Sequence, residues 1–354
     1  MSWLCAFSSL IMKRKIIQIG FLIILLLVIY VRISHEKSKP LKETRLALGT
    51  FVTIDIQGKN RQNREIIDSV FSIIQIYEKQ FSLTYPKSET NRINNSENSI
   101  LISEDMQDIL TISNQISNET EGAFDITVGK IINLYDFVDE VMPTQAEIDS
   151  ALVYVGYKKI SCIDSELFKD DPTIFIDLGG IAKGFIVDKA VAYLKEKGIT
   201  NSAINAGGDL FVMQNPETDV WKVGIQHPRN PSALFGSVEV RDIAVVTSGD
   251  YEQFFMKDGK RIHHIIDPQT GFPSYNSISV TVIAPNTTIA DALCTALFVM
   301  GPEKAIKLVN HKNDIEALIV FENNGELCYV FSNNFDKYKF TLIDSTAQFR
   351  KDIQ

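Results

Sequence analysis

None of the chain's four cysteines, Cys5, Cys162, Cys294 and Cys328, forms a CxxC pair or a metal-ligand spacing, so a thiol redox motif and a structural zinc site are excluded. Three of the four lie in the body of the chain and cannot all pair with one another; buried thiols are expected there. Basic runs are missing beyond roughly the first forty residues, and the formal net charge is −9. A nucleic-acid partner is thereby excluded, because phosphate-backbone binding needs a basic face. An acidic body still accepts a small phosphorylated ligand if a cation mediates the contact. No internal repeat is present, and no P-loop: the one lysine in a suitable glycine-rich stretch, Lys183, is followed by Gly184 rather than Ser or Thr.

The 354 residues are 45% hydrophobic, ample for a sizeable core. The longest apolar run lies near the N-terminus, where Lys13, Arg14 and Lys15 precede Ile16–Val31. A basic flank before such a run places the N-terminus in the cytoplasm and the body outside. No small-x-small cleavage site follows Val31, and no cysteine that would carry a lipid. The expected organisation is a cytoplasmic basic N-terminus with a transmembrane signal-anchor over 1–31, a linker over 32–44, one folded domain over 45–345 and a polar tail over 346–354.

Periodicity assigns the elements. In "LALGTFVTIDIQG" Phe51, Thr53 and Asp55 alternate with Val52, Ile54 and Ile56, a strand pattern. "NREIIDSVFSIIQIYEKQF" has helical spacing, "SLTYPKSETNRINNSENS" reads as a polar loop, and further helices are expected over 104–120, 127–137 and 144–154. "TIFIDL" reads as a buried strand followed by a helix over 181–197, and "SAINAGGDLFVM" as strand, glycine turn, strand. Strands dominate from Trp221 to Val282, "TTIADALCTALFVMG" is a helix closed by Gly301, and Asn324-Gly325 marks a hairpin. This mixed order predicts an α+β fold rather than a doubly wound sheet.

Five stretches carry residues suited to chemistry. In "FIDLGGIAKGFIVDKA", Asp177 ends the apolar run, Gly179 and Gly180 let a ligand approach the backbone, and Lys183 lies in the first turn of a helix whose N-terminus favours anions. The plainer reading is a glycine turn packing strand on helix. "NAGGDL" is a second glycine turn, with Asp209. In "ADALCTALF", Asp291 and Thr295 are four apart on one helix face, hard oxygen donors suited to Mg²⁺, or else an acidic first turn and a hydroxyl bonded to the backbone. "RIHHIIDPQTG" holds His263, His264 and Asp267, with a histidine available as general base and Asp267 in a turn. "EGAFDITVGKI" puts Phe124 beside Asp125, which suits the border of a flat heterocycle or a helix N-cap.

The order of these stretches, together with "LGTFVTI", "FSLTYPKSETNRIN", "AVVTSGDYEQFF" and "IADALCTALFVMG", resembles the ApbE family of FAD:protein FMN transferases over roughly residues 45 to 310. The resemblance implies an ApbE-like α+β fold of largely antiparallel sheets and packed helices, with a flavin cleft between two subdomains. It implies Mg²⁺-dependent transfer of FMN from FAD to a threonine or serine hydroxyl of a target protein, among them subunits of membrane electron-transfer complexes, on the outer side of the cytoplasmic membrane. Some members instead hydrolyse FAD to FMN and AMP, and a membrane-anchored flavin-binding protein without turnover is the third alternative. Residue by residue, the resemblance places the metal on Asp291, Thr295 and the carbonyl of Gly180. It places FAD against Leu48, Tyr85, Ala123, Phe124, Asp125, Asp177, Lys183, His264 and Ile265, and makes His264 and Asp267 the catalytic candidates. Leu48 stands where the family often has methionine, Tyr85 one place after a frequent tyrosine, and Phe185 for another frequent tyrosine.

Overall fold

The computed structural model describes residues 18–28, 40–58, 62–214 and 220–354. A helix, α1, runs over 18–28 within the expected anchor, whose remaining residues lie outside the described ones; no described helix is long and apolar enough to cross a membrane. The body begins with a hairpin, β1 (Leu41–Ala47) and β2 (Thr50–Ile56), then α2 (Asn63–Phe81), α3 (Glu89–Asn94), β3 (Ser99–Leu101) and α4 (Glu104–Glu119). Next come α5 (Gly129–Ile132), α6 (Gln145–Leu152), β4 (Ile160–Ile163), β5 (Glu166–Lys169), α7 (Ala182–Glu196), β6 (Ser202–Ala206) and β7 (Asp209–Met213). A run of strands follows: β8 (Trp221–His227), β9 (Asn230–Val240), β10 (Ile243–Gly249), β11 (Phe254–Lys257), β12 (Lys260–His263) and β13 (Ser279–Ala284). The chain closes with α8 (Thr287–Met300), α9 (Pro302–Val309), β14 (Glu316–Asn323), β15 (Glu326–Phe331), β16 (Thr341–Leu342) and β17 (Gln348–Phe349).

Nine strands form one sheet in the order β1-β2-β6-β7-β10-β13-β14-β15-β17, antiparallel throughout except for the last pair. One face of this sheet carries Val52, Ile54, Ala206, Val246, Val280 and Val282 into the main core, under α2, α7 and α8. Alternation along β2 explains why: Val52, Ile54 and Ile56 are buried, and Phe51 is turned out. The opposite face packs against the three-stranded sheet β16-β9-β8 through Val212, Val245, Ile283, Leu318, Phe235 and Val238. A third, smaller cluster of Val128, Ile131, Tyr135, Phe255, Ile262 and Ile266 forms a separate module beside the sheet.

Several expectations need correction. "TIFIDL" is extended and its Ile174, Ile176 and Leu178 are buried, but it joins no sheet beyond a single parallel bridge from Phe175 to Val128. Its backbone groups are satisfied otherwise: Ile176 exchanges hydrogen bonds with the Asn94 side chain at 2.8 and 2.9 Å, and Asp177 N–H donates to Ile126 at 2.7 Å. The helix expected over 127–137 shrinks to the four residues of α5, while α3 interrupts the expected polar loop, capped by Ser88. β1 begins at Leu41, inside the expected linker, and β17 adds part of the expected tail to the large sheet. Cys162, Cys294 and Cys328 are free thiols, the last two buried.

Candidate active site

A cavity of about 870 Å³ opens between the sheet-and-helix body and the small module. Its floor is the turn before α7. Gly179 N–H donates to Asp177 Oδ1 at 2.6 Å, folding the glycine turn back on the aspartate. Burial raises the Asp177 carboxyl above its ordinary value, and the Gly179 N–H opposes this. Helix α7 has no side-chain cap of its own, since its N-cap is Ile181. Asp291, from the second turn of α8, serves instead: its Oδ2 accepts from Gly184 N–H at 3.0 Å, a carboxylate set against the positive end of a helix.

Lys183 faces the cavity from the same turn, with Nζ 3.1 Å from Asp209 Oδ2 and 3.4 Å from Asp291 Oδ1. Burial alone would favour neutral lysine, but Asp209, Asp291 and Glu252 together hold it firmly protonated. Asp209 is pushed well above its ordinary value by burial and by Asp291. Its Oδ2, although close to the lysine, has no aligned hydrogen-bond donor. Glu252 reaches solvent through the cavity yet is walled by protein on most sides; burial lifts it to about 7, with Lys183 pulling down and Asp291 adding to the rise.

Thr295, one turn beyond Asp291, also borders the cavity and approaches Gly180: a Cβ placed on Gly180 would lie 3.2 Å from Thr295 Oγ1 and 3.2 Å from the Phe124 ring. The residues are therefore present for a hard cation: an aspartate, a threonine hydroxyl and a glycine carbonyl, with an undersatisfied Asp209 oxygen nearby. Among the described residues no group of three or more His, Cys, Asp or Glu has metal-binding geometry, so a soft or all-carboxylate site is not formed.

The small module supplies the opposite wall. His263 ends β12 buried, with Nε2 2.8 Å from the Ser274 carbonyl, and stays inside the core. His264 turns the other way and lines the cavity, its Nδ1 3.3 Å from the Gln253 carbonyl. Burial lowers its pKa to about 4, so the ring is neutral at pH 7. With Nδ1–H donated to Gln253, Nε2 keeps a free lone pair; this tautomer follows from the hydrogen bond.

Most of the residues singled out in the sequence meet here: Leu48, Ala123, Phe124, Asp125, Asp177, Gly180, Lys183, His264, Ile265, Asp291 and Thr295 all line the cavity. Leu48 does so with φ +56°, in a hairpin turn tied down where its N–H donates to Glu78 Oε1 at 2.6 Å. Asp125 spends its carboxylate on its own loop, accepting from Thr127 N and Oγ1 at 2.8 and 2.6 Å and from Tyr157 N at 2.7 Å. It therefore shapes the wall rather than offering oxygens to a ligand. Two candidates are not brought in. Asp267 is absent from the lining and accepts from Gln269 N–H at 2.9 Å inside its turn, and Tyr85 stands on the outer surface, 42% exposed. Asp209, from the second glycine turn, and Glu252, three residues after Gly249, line the cavity as well, and neither was expected to face a ligand.

Fold and site together define an α+β protein with a cleft of mixed apolar and polar lining, in which a lysine, three carboxylates and a neutral histidine converge. The chain belongs to the ApbE family, whose model matches residues 48–319. It is 34% identical over 292 residues to the FAD:protein FMN transferase of Escherichia coli K12, an alignment that takes in 78% of this chain and 83% of the relative. A Treponema pallidum protein of the same name is 30% identical, with 81% of this chain and 86% of the relative covered. Among solved structures, the ApbE protein of Thermotoga maritima superposes with a TM-score of 0.77 at 32% identity, over 85% of this chain and 99% of that one. The flavin transferase ApbE of Vibrio cholerae gives 0.76 at 28% identity, again over 85% and 99%.

Proposed function

We propose that this chain transfers FMN from FAD to a threonine or serine hydroxyl of a target protein, releasing AMP, in a Mg²⁺-dependent reaction on the outer side of the cytoplasmic membrane. The observation that carries this reading is the convergence of Phe124, Asp177, Gly180, Lys183, His264, Asp291 and Thr295, from separate stretches of the chain, on one cavity large enough for a dinucleotide. Family membership and the names of the relatives support it.

The hydroxyl oxygen attacks the FMN phosphorus, and the bond from that phosphorus to the oxygen shared with AMP breaks. A hydroxyl is a poor nucleophile at neutral pH. Nε2 of His264 takes its proton, and the negative charge that FAD brings beside the ring raises the proton affinity of the imidazole. Lys183 faces the diphosphate with a fixed positive charge, held in place by Asp209 and Asp291. Asp291, Thr295 and the Gly180 carbonyl would hold Mg²⁺, which when bound neutralises charge on the diphosphate and on the departing AMP. Phe124 and Leu48 offer apolar surface to the flavin ring.

The basic flank at Lys13–Lys15 and the apolar run Ile16–Val31 support an N-terminal anchor with the folded domain outside, within reach of flavin-accepting subunits of membrane electron-transfer complexes. The test is incubation with FAD, Mg²⁺ and such a subunit from the same genome, followed by a denaturing gel under ultraviolet light. A fluorescent band at the subunit's mass is expected. AMP and FMN accumulating without a band would refute transfer and leave an FAD pyrophosphatase; neither band nor AMP would leave a flavin-binding protein.

A further inference from the structure

A second cavity, of about 630 Å³, lies against the first, and the two share Thr50, Gly207, Thr247 and Glu252 in their walls. It exists because the small sheet covers the outer face of β6 to β15 but contributes no packing over β1 and β2. Its floor is that outer face, including Phe51, Thr53 and Leu210. Its side is β8, Val223 to Gln226. Within its sheet β8 is hydrogen-bonded to β9, and among the described residues no strand pairs with its other edge. Beside the floor, at the hairpin end that also lines the flavin cleft, the cross-strand pair Leu46 and Phe51 stands 73% and 70% exposed. Exposed apolar pairs and open strand edges are features that soluble proteins ordinarily suppress.

We propose that this groove binds the acceptor segment of the protein to be flavinylated, as an extended strand laid along β8, with Phe51 and Leu46 as its apolar anchor. The proposal rests on the transferase reading above. A hydroxyl on a folded protein reaches the buried cleft only if its backbone docks at the rim, and this groove meets the cleft along a shared wall. Pairing with an edge strand binds backbone without demanding sequence, while alternate side chains read the floor. Glu252 is the one charged residue of the lining, so the groove disfavours acidic side chains in the docked segment.

The test compares the full-length protein with Phe51→Asp and Leu46→Asp, both surface changes, with the same flavin-accepting subunit as probe. The KM for the subunit is expected to rise roughly tenfold or more, the effect of placing a charge at a central anchor. FAD affinity and acceptor-independent AMP release are expected to stay at the unsubstituted level. Amides of Val223–Gln226 are expected to exchange more slowly with solvent when the subunit is added. Unchanged KM in both variants, or no protection along β8, with normal transfer by the unsubstituted protein, would overturn the groove alone. Absence of transfer by the unsubstituted protein would overturn the transferase reading and the groove with it.

Discussion

Replacing Gly184 with alanine tests whether the spacing of two helices sets the chemistry. Gly184 is where α7 touches the start of α8: an added Cβ would lie 2.4 Å from the Thr287 carbonyl oxygen, 2.7 Å from its carbon and 2.9 Å from Asp291 Cβ. These neighbours are backbone or stem atoms, so the helices themselves must separate. Overpacking of this kind costs about 1–3 kcal/mol, and alanine returns about 1 kcal/mol as the better helix former. The net loss, at most about 2 kcal/mol, corresponds to a fall in Tm of no more than about 3 °C for a domain of this size. The effect on the site is larger. Gly180 and Lys183 belong to the α7 side, Asp291 and Thr295 to α8, and the Gly184 N–H to Asp291 bond at 3.0 Å ties the two together. A displacement of about 1 Å between reacting groups costs on the order of 100-fold in rate. Differential scanning calorimetry and AMP release from FAD, measured on one preparation, would separate the two effects. A variant with lowered Tm but full AMP release would show that the helix spacing does not position the phosphate-handling groups, and the reasoning would fail.

Asp291→Asn keeps the shape of the side chain but removes the charge facing Lys183 and the cation; cation-dependent AMP release should drop at least about 100-fold, and undiminished release would remove Asp291 from the metal set. His264→Ala should bind FAD as before, since the ring contributes one wall among many, yet lose about 100-fold or more in FMN transfer, as read by the fluorescent band. His263 gives a pH signature of stability. Burial first, helped by His264 and Arg261 and opposed by Asp250 and the Ser274 carbonyl, lowers its pKa to about 4. The unfolded chain, with an ordinary value of 6.5, binds more protons between those limits. This contribution, at most about 3 kcal/mol, is full above roughly pH 6.5 and is lost as pH falls through about 4. Urea melts at pH 7.5 and 5 on the unsubstituted protein and on His263→Gln isolate its share: the variant should lose less stability on going to pH 5, keeping only the like contribution of His264 and the opposite one of Glu252.

What the sequence revealed of the fold depended on how each segment's backbone is satisfied. Alternation along β2 and helical spacing along α2 led directly to the observed elements, because both bury one face against the same core. The segment ending at Asp177 had the apolar content of a strand and yet is not one. Its partners are an asparagine side chain 82 residues away and a lysine, Lys169, whose Nζ donates to the Ile174 carbonyl at 3.5 Å. No periodicity encodes such a long-range substitution for a strand neighbour. The site was legible where a residue type was chemically unusual for its place: a lysine at a helix N-terminus, or a carboxylate and a hydroxyl one turn apart. Asp209 stood out only as part of a glycine turn, which a hairpin explains just as well, and Glu252 carries no local signal; only the tertiary structure brings both to Lys183.

That convergence bears on why the cleft is built with so much negative charge for a ligand that is itself an anion. Three acidic groups crowd one lysine, in excess of what it can neutralise, as the raised proton affinities of Asp209 and Glu252 show, and an anionic diphosphate entering alone finds no surplus positive charge. The same excess is an attraction for a divalent cation, which takes hard oxygens and keeps positions open for phosphate. Cation and FAD should therefore bind with positive coupling: each lowers the cost of the other, by the same factor in both directions. Titration of FAD binding at several Mg²⁺ concentrations, and of Mg²⁺ binding at several FAD concentrations, measures that factor twice. Equal enhancement of roughly tenfold or more in both titrations is the expected result. FAD affinity independent of Mg²⁺ would mean that Lys183 alone neutralises the diphosphate, and that the acidic cluster serves only to hold the lysine in place.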